Sequence, residues 1–179
     1  SLMWDRLLAK SEFEKRLKAV KVFNEDHKWI KKGIATCPIK HGLSFETAFL
    51  NQGMALVGVY LDGSVTVSHG GVEMGQGINT KMAQIAAQVL QVPLNTVSIT
   101  EQNTAVLPNP IPTAASTGTD LNGAAVLNAC EELNRLLAPV RADLGSKASL
   151  GDVAKEAQLR RIPLFATGFY KTPISGYDW

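Results

Sequence analysis

A chain of 179 residues, of which 45% are hydrophobic and 19% are charged, has enough apolar surface for a packed core, which excludes a disordered protein. The formal net charge is only +2 and the basic residues form no long block, so we expect no nucleic-acid partner and no membrane partner. No apolar run approaches the roughly 20 residues that cross a bilayer, and Ser1–Arg6 lacks a signal-peptide pattern. Cys37 and Cys130 lie far apart and have no metal-site or disulfide spacing. We therefore expect a cytoplasmic protein.

The first predicted element is a helix over residues 11–24. Residues 11–14 read Ser-Glu-Phe-Glu, the spacing of a capping box, in which two side chains satisfy free amides at a helix start. Leu17 and Val20 follow at helical spacing. Residues 29–39 are expected to be extended.

A β-hairpin is predicted next, with its strands at Met54–Leu61 and Ser64–Ser68. Both strands alternate apolar and polar residues, and they flank Asp62-Gly63, a pair typical of a two-residue turn. Apolar residues at helical spacing then predict a helix over residues 79–92, which Pro93 ends.

The second half of the chain contains a short predicted strand at Val97–Thr100 and then a loop over residues 101–118. Three prolines interrupt every periodicity in this loop, and a loop of such length inside a compact domain indicates a functional segment.

Helices, a strand and a turn are predicted after this loop. Asp120 is expected to cap a long helix, and Ser149–Asp152 offers a second cap. Residues 162–170 are predicted to be extended, and a turn follows at Pro173 and Gly176. The mixture predicts an α+β fold with a layered mixed sheet and helices, forming one structural unit over residues 1–179.

The most unusual segment, residues 69–77, joins the hairpin to the predicted helix and contains four glycines. Backbone amides at the helix start favour an anion such as phosphate, and the amide of Gln76 could read a heterocycle edge or an oxo group. The spacing is neither a P-loop nor a full dinucleotide fingerprint. A tight turn without any ligand explains the glycines equally well.

The second candidate segment is residues 112–118, which read Pro-Thr-Ala-Ala-Ser-Thr-Gly. Small side chains leave room for a bulky group, to which the hydroxyls and amides could bond. A mobile loop would have the same composition. Glu46 and Glu73 could form a carboxylate pair for acid–base chemistry, although exposed carboxylates are commoner.

Taken together, these segments resemble the molybdopterin-binding region of xanthine dehydrogenases and aldehyde oxidases. The resemblance is carried, in the family's order, by Phe23-Asn24 with Trp29, Gly58–Met82, Pro108-Asn109, Pro112–Ser116, Asp120–Gly123, Ala166–Tyr170 and Thr172-Pro173. The resemblance covers nearly the whole chain, which would then be one part of a molybdopterin-binding domain.

The resemblance implies a cytoplasmic oxidoreductase that contains molybdopterin with molybdenum. Such an enzyme hydroxylates a purine or an aldehyde with oxygen from water, and electrons leave through 2Fe-2S clusters and FAD, usually in a homodimer. The implied cofactor-binding residues are Gly75, Gln76, Thr113, Ala114, Ala115, Ser116 and Gly118, with Ala115 closest to the metal. Gly118 departs from the family's usual serine.

The resemblance also implies substrate contacts at Glu46 and at Phe45, an aromatic ring that would stack on a purine. Glu46 departs from the threonine of the xanthine-oxidising enzymes, and a carboxylate there would repel a purine carbonyl. An aldehyde oxidase and a non-catalytic scaffold segment are therefore the alternatives to a purine hydroxylase. No catalytic residue is assigned within this chain, because the family's general base lies beyond it, and we expect the chain alone to be inactive.

Overall fold

The computed structural model describes residues 2–100 and 102–173, and the chain divides into two compact units, Ser1–His41 and Gly42–Trp179. The first unit contains helices α1 (Leu2–Lys10) and α2 (Phe13–Asp26). Its following segment is tied to α2 by the side chain of Asn24, which bonds both the backbone N–H and the backbone C=O of Lys32.

One prediction for the first unit was wrong. The capping box at residues 11–14 does not form, because the chain is already helical through Lys10 and the Ser11 hydroxyl bonds the carbonyl of Leu8 instead. Glu12 takes the cap position of α2 with a left-handed φ of 50° and no side-chain capping bond. The extended segment predicted at residues 29–39 joins no sheet, and residues 27–47 lie in neither helix nor strand.

The second unit is built on a four-stranded mixed sheet in the order β3-β2-β1-β4. The strands are β1 (Gln52–Val59), β2 (Val65–His69), β3 (Val97–Ile99) and β4 (Phe165–Lys171). β1 is antiparallel to both β2 and β4, whereas β2 is parallel to β3. Alternate residues of β1 are buried, as expected for a strand with one face against the core.

Three helices accompany this sheet: α3 (Ile78–Leu90), α4 (Gly118–Leu144) and α5 (Leu150–Leu159). Buried residues of β1 and β2, such as Val57 and Val67, share one core with Met82 of α3 and Leu133 of α4. A smaller cluster joins the end of α4 to α5. The predicted α+β class with a layered mixed sheet and helices is confirmed.

Most of the predicted elements in this unit are confirmed, with shifts at their ends. The hairpin turn has three residues rather than two, because Tyr60 N–H bonds Ser64 C=O and Gly63 takes a φ of +87°. Asp120 lies in the first turn of α4 and is not its cap; Thr117 holds that position. Ser149 and Asp152 do form a capping box. The turn predicted around Gly176 lies outside the described residues.

The parallel pairing of β2 and β3 determines where the loops that follow these two strands meet. Since β2 and β3 run side by side in the same direction and α3 connects them, both strands end at the same edge of the sheet. The glycine-rich loop at residues 70–77 leaves the end of β2, and the proline-rich loop before α4 follows the end of β3. Within the described residues, no helix is both long and apolar enough to span a membrane.

Candidate functional site

The two loops enclose a cleft of about 390 Å³ at this edge of the sheet. Five residues that the sequence assigns to cofactor binding line it: Gln76, Thr113, Ala114, Ser116 and Gly118. The volume falls in the range of roughly 300 to 1,000 Å³ that is typical of small-molecule sites. Two segments separated by more than 30 positions in the sequence therefore meet around one concave surface.

The glycine-rich loop is held by the side chains of its own polar residues. The Glu73 carboxylate accepts the backbone N–H groups of Gly75 and Gly77 on Oε1, both at 2.9 Å, and that of Asn79 on Oε2 at 3.1 Å. The side-chain amide of Gln76 accepts from Met74 N–H at 2.6 Å and donates to the carbonyl of Val72 at 2.8 Å.

These bonds change the interpretation of the helix start. The sequence predicted that amides at the beginning of α3 would attract an external anion, but the carboxylate of Glu73 already binds them. The amides of Asn79, Gly77 and Gly75 in turn lower the pKa of Glu73. Glu73 is thus a capping carboxylate, with both of its oxygens bound by backbone amides.

A buried histidine anchors the base of the same loop. His69, the last residue of β2, is only 1% exposed. The N–H of Gly71 donates to its Nδ1 at 3.2 Å, and its Nε2 lies 2.9 Å from Oδ1 of Asn79 and 2.6 Å from the side-chain nitrogen of Gln102. Burial lowers the pKa of His69, which favours the neutral form of the ring.

The second loop carries backbone strain at its tip. Ala115 and Ser116 have left-handed φ values of 52° and 57°, which residues with a Cβ rarely adopt. The hydroxyl and the N–H of Thr117 both bond the carbonyl of Ala114, closing the turn. Such strain costs on the order of 1–3 kcal/mol per residue and concentrates at functional sites.

One hydrogen bond joins the two loops directly. The N–H of Val72 donates to Oγ1 of Thr113 at 2.8 Å. The carbonyl of Val72 also accepts a hydrogen bond from the side chain of Gln76. Val72 therefore connects two of the predicted site residues, Gln76 and Thr113. Thr113 therefore has a structural contact within the site as well as a position on its wall.

Four predicted site residues lie outside the cleft lining. Gly75 and Ala115 belong to the two loops but are not among the residues that line the cavity. Phe45 and Glu46, the predicted substrate contacts, precede β1 and do not line it either. Phe45 is half-buried, and its backbone N–H and C=O are both bonded by the side chain of Asn51. Glu46 is exposed.

Four further residues line the cleft that were not predicted from the sequence: Met74, Ile78, Lys81 and Thr119. Among the described residues that line the cleft, Lys81 alone carries a charge. Lys81 lies four residues after Gly77, so it is one helical turn into α3 and on the same side of the helix as the end of the glycine-rich loop. That spacing would have identified it, had the cleft been known to lie over the start of α3.

Comparison with known proteins identifies the family of this fold. A family profile described as "Molybdopterin cofactor-binding domain" matches residues 6–179. The chain belongs to the molybdopterin cofactor-binding domain family. A xanthine dehydrogenase of Emericella nidulans is 51% identical over 178 residues, which are 99% of this chain and 13% of that protein. A nicotinate hydroxylase of the same organism is 46% identical over 179 residues, with the same coverage of each chain.

Solved structures agree on the fold of this molybdopterin cofactor-binding domain. A CO dehydrogenase from Oligotropha carboxidovorans matches with a TM-score of 0.63 at 22% identity, over 70% of this chain and 19% of that chain. The family and the molybdopterin cofactor expected from the sequence are confirmed. The chain spans only about 13% of the length of the curated relatives it matches.

The site of this molybdopterin cofactor-binding domain fits a polar heterocyclic cofactor with an anionic group. Gln76 and Ser116 bring an amide and a hydroxyl to the wall, and Lys81 adds one positive charge. At Gly118, an added Cβ would lie 3.2 Å from Cδ1 of Ile78, so a larger residue would crowd the wall of the cleft. The donor set and the space are consistent with the cofactor of the family.

Proposed function

We propose that this chain forms one wall of the molybdenum-cofactor and substrate site of a xanthine dehydrogenase-like oxidoreductase. The enzyme would hydroxylate purines such as hypoxanthine or xanthine with oxygen derived from water. One observation carries the proposal: five residues from two distant loops, each expected to bind the cofactor, line the same cleft.

In this proposal the two loops hold the cofactor from opposite sides. Gln76 and Ser116 donate hydrogen bonds, Thr113 and Ala114 form the wall, and Gly118 leaves space. Gly75 and Ala115 would shape the turns beside them, and Ala115 would be the residue of this chain nearest to molybdenum. When bound, the group would supply the two-electron oxidation chemistry, and the residues of this chain would orient it.

The substrate would be selected by the segment before β1. Phe45 would stack on the purine ring, and the two bonds from Asn51 to its backbone would hold it in place. Glu46 favours a second candidate, an aldehyde oxidase, because an exposed carboxylate beside a purine carbonyl would repel it.

The whole enzyme would contribute the rest of the site. We propose that residues 1–179 are a part of one molybdopterin-binding domain in a cytoplasmic homodimer. The general base, the 2Fe-2S clusters and FAD would lie in the remainder of that protein, since this chain covers about 13% of its relatives.

The test is the molybdenum and pterin content of the full-length parent enzyme with and without Gln76→Ala. We expect a loss of about fivefold, the change that one hydrogen bond of about 1 kcal/mol makes in an equilibrium constant. Gln158→Ala is the matched control, since Gln158 is an exposed glutamine on α5. Unchanged cofactor content in Gln76→Ala would instead support the non-catalytic scaffold.

Substrate turnover by the unmodified parent separates the candidate activities. Xanthine oxidation supports the purine hydroxylase, and oxidation of aldehydes alone supports the aldehyde oxidase. Nicotinate belongs in the panel because a relative with 46% identity is a nicotinate hydroxylase.

A further inference from the structure

The turn that carries Gln76 has no packing to hold it. Gly75 and Gly77 have φ values of +95° and +77°, and a Cβ added to either residue would meet nothing within 4 Å. Gln76 itself is exposed. Burial of apolar surface therefore contributes little to the conformation of this turn, and hydrogen bonds must determine it.

The carboxylate of Glu73 makes three of those bonds. It accepts from the N–H groups of Gly75 and Gly77, which flank Gln76, and from that of Asn79 in the first turn of α3. Bonds from N–H groups to an ionised carboxylate are stronger than neutral ones. The carboxylate also places a negative charge at the positive end of the α3 dipole. It therefore occupies the kind of position at which helix N-termini bind anions such as phosphate.

We propose that Glu73 is a positioning residue that fixes the Gly75–Gly77 turn, so that Gln76 stays at the wall of the cleft and external anions are kept off the start of α3. The part that concerns the cofactor rests on the proposed function. The anionic group of the cofactor must then be bound elsewhere in the cleft, where Lys81 is the charged residue among the described lining.

The experiment measures amide hydrogen exchange on peptides covering residues 72–80 of the full-length parent enzyme, together with its cofactor content. Glu73→Gln keeps the shape of the side chain and removes its charge, and Glu73→Ala removes the acceptor. We expect exchange of the Gly75, Gly77 and Asn79 amides to become at least roughly fivefold faster in both variants. Cofactor content should fall as it does in Gln76→Ala.

Asp152→Asn is the matched control. Asp152 is also an exposed carboxylate that caps a helix, since it accepts from the N–H and the hydroxyl of Ser149 at the start of α5. It is not among the residues that line the cleft. This variant should lose protection at α5 and retain both the cofactor and the slow exchange of residues 72–80.

Added inorganic phosphate tests whether Glu73 fills an anion position. In Glu73→Ala, phosphate should restore slow exchange of the three amides, whereas the unmodified enzyme should not respond. Equal protection by phosphate in the unmodified enzyme would overturn the proposal, and so would unchanged exchange in both Glu73 variants.

The cofactor measurements separate this proposal from the proposed function. If Gln76→Ala loses cofactor while both Glu73 variants retain it, Glu73 does not position the turn for the cofactor, and the proposed function stands. If all three variants retain cofactor, the loop does not hold it and the proposed function fails with this proposal.

Discussion

His69 is the residue on which the glycine-rich loop depends at its base. It ends β2, is almost fully buried, and bonds both the backbone of Gly71 and the side chain of Asn79. Desolvation lowers the pKa of His69 from its ordinary value of 6.5, and the bond to Asn79 and the charge of Glu73 oppose that shift only in part. A neutral ring is required, because a protonated Nδ1 could not accept from Gly71.

The stability of the chain should therefore depend on pH through His69. A histidine whose folded-state pKa is lowered contributes stability that is complete above its unfolded value of 6.5. That stability is lost as the pH falls through 6.5 toward the folded-state pKa. Urea unfolding at pH 7.5, 6.5 and 5.5 should show this decline, with a slope of at most about 1.4 kcal/mol per pH unit for one proton.

Two variants test whether His69 causes this pH dependence of the free energy of unfolding. His69→Gln should reduce the free energy of unfolding at pH 7.5, because Gly71 loses its acceptor, and should flatten the decline at lower pH. His41→Gln, which changes an exposed histidine, should retain the decline. The prediction is refuted if His69→Gln and the unmodified chain have parallel pH profiles.

At the scale of elements, the approach of β4 to α4 depends on a glycine. A Cβ added at Gly168 would lie 1.8 Å from the carbonyl oxygen of Ala125 and 2.8 Å from the nitrogen of Ala129. Backbone atoms of a buried helix cannot move aside as a flexible side chain can. The sheet and α4 can therefore pack at this distance only if residue 168 has no side chain.

Gly168→Ala should lower the free energy of unfolding by about 3 kcal/mol, at the upper end of the range for overpacked cores. Gly58→Ala is the control within the same sheet, because a Cβ there would meet only the hydroxyl of Thr66, at 3.2 Å. Its effect should stay within about 0.5 kcal/mol. Denaturant unfolding of the two variants measures both values, and equal losses would contradict the packing explanation.

At the scale of the whole molecule, the two units differ in what they bury. The hydrophobic core lies in the second unit, whereas none of the described residues 2–41 is buried. In that first unit Met3, Trp29 and Ile39 are each more than 80% exposed. Large apolar side chains that stay this exposed are typical of surfaces that contact other protein.

The isolated chain should accordingly have no hydroxylase activity, even when molybdopterin is supplied. In the proposed function the general base would lie outside it, and positioning and proton transfer each contribute orders of magnitude to a rate. Xanthine and aldehyde oxidation by the isolated chain should be undetectable under conditions in which the full-length parent turns over. Measurable turnover would mean that the described residues contain a general base.

The sequence alone was enough for several features that depend on local pattern. The hairpin of β1 and β2, the helix before Pro93 and the capping box at Ser149 are encoded within a few residues, because turn conformation and helical amphipathicity are short-range properties. The ordered motifs identified the family and its cofactor. Local pattern also misled at Ser11, where a preceding helix removed the need for a cap.

Only the tertiary structure decided how these elements form a site. The cleft exists because β2 and β3 are parallel neighbours, so the loops that follow them meet, and no spacing in the sequence specifies which strands pair. The bond from Val72 to Thr113 joins residues 41 positions apart. The sequence predicted that the amides at the start of α3 would bind an external anion, but the carboxylate of Glu73 binds them instead. The reason is that a side chain held nearby competes at a far higher effective concentration than a solute can.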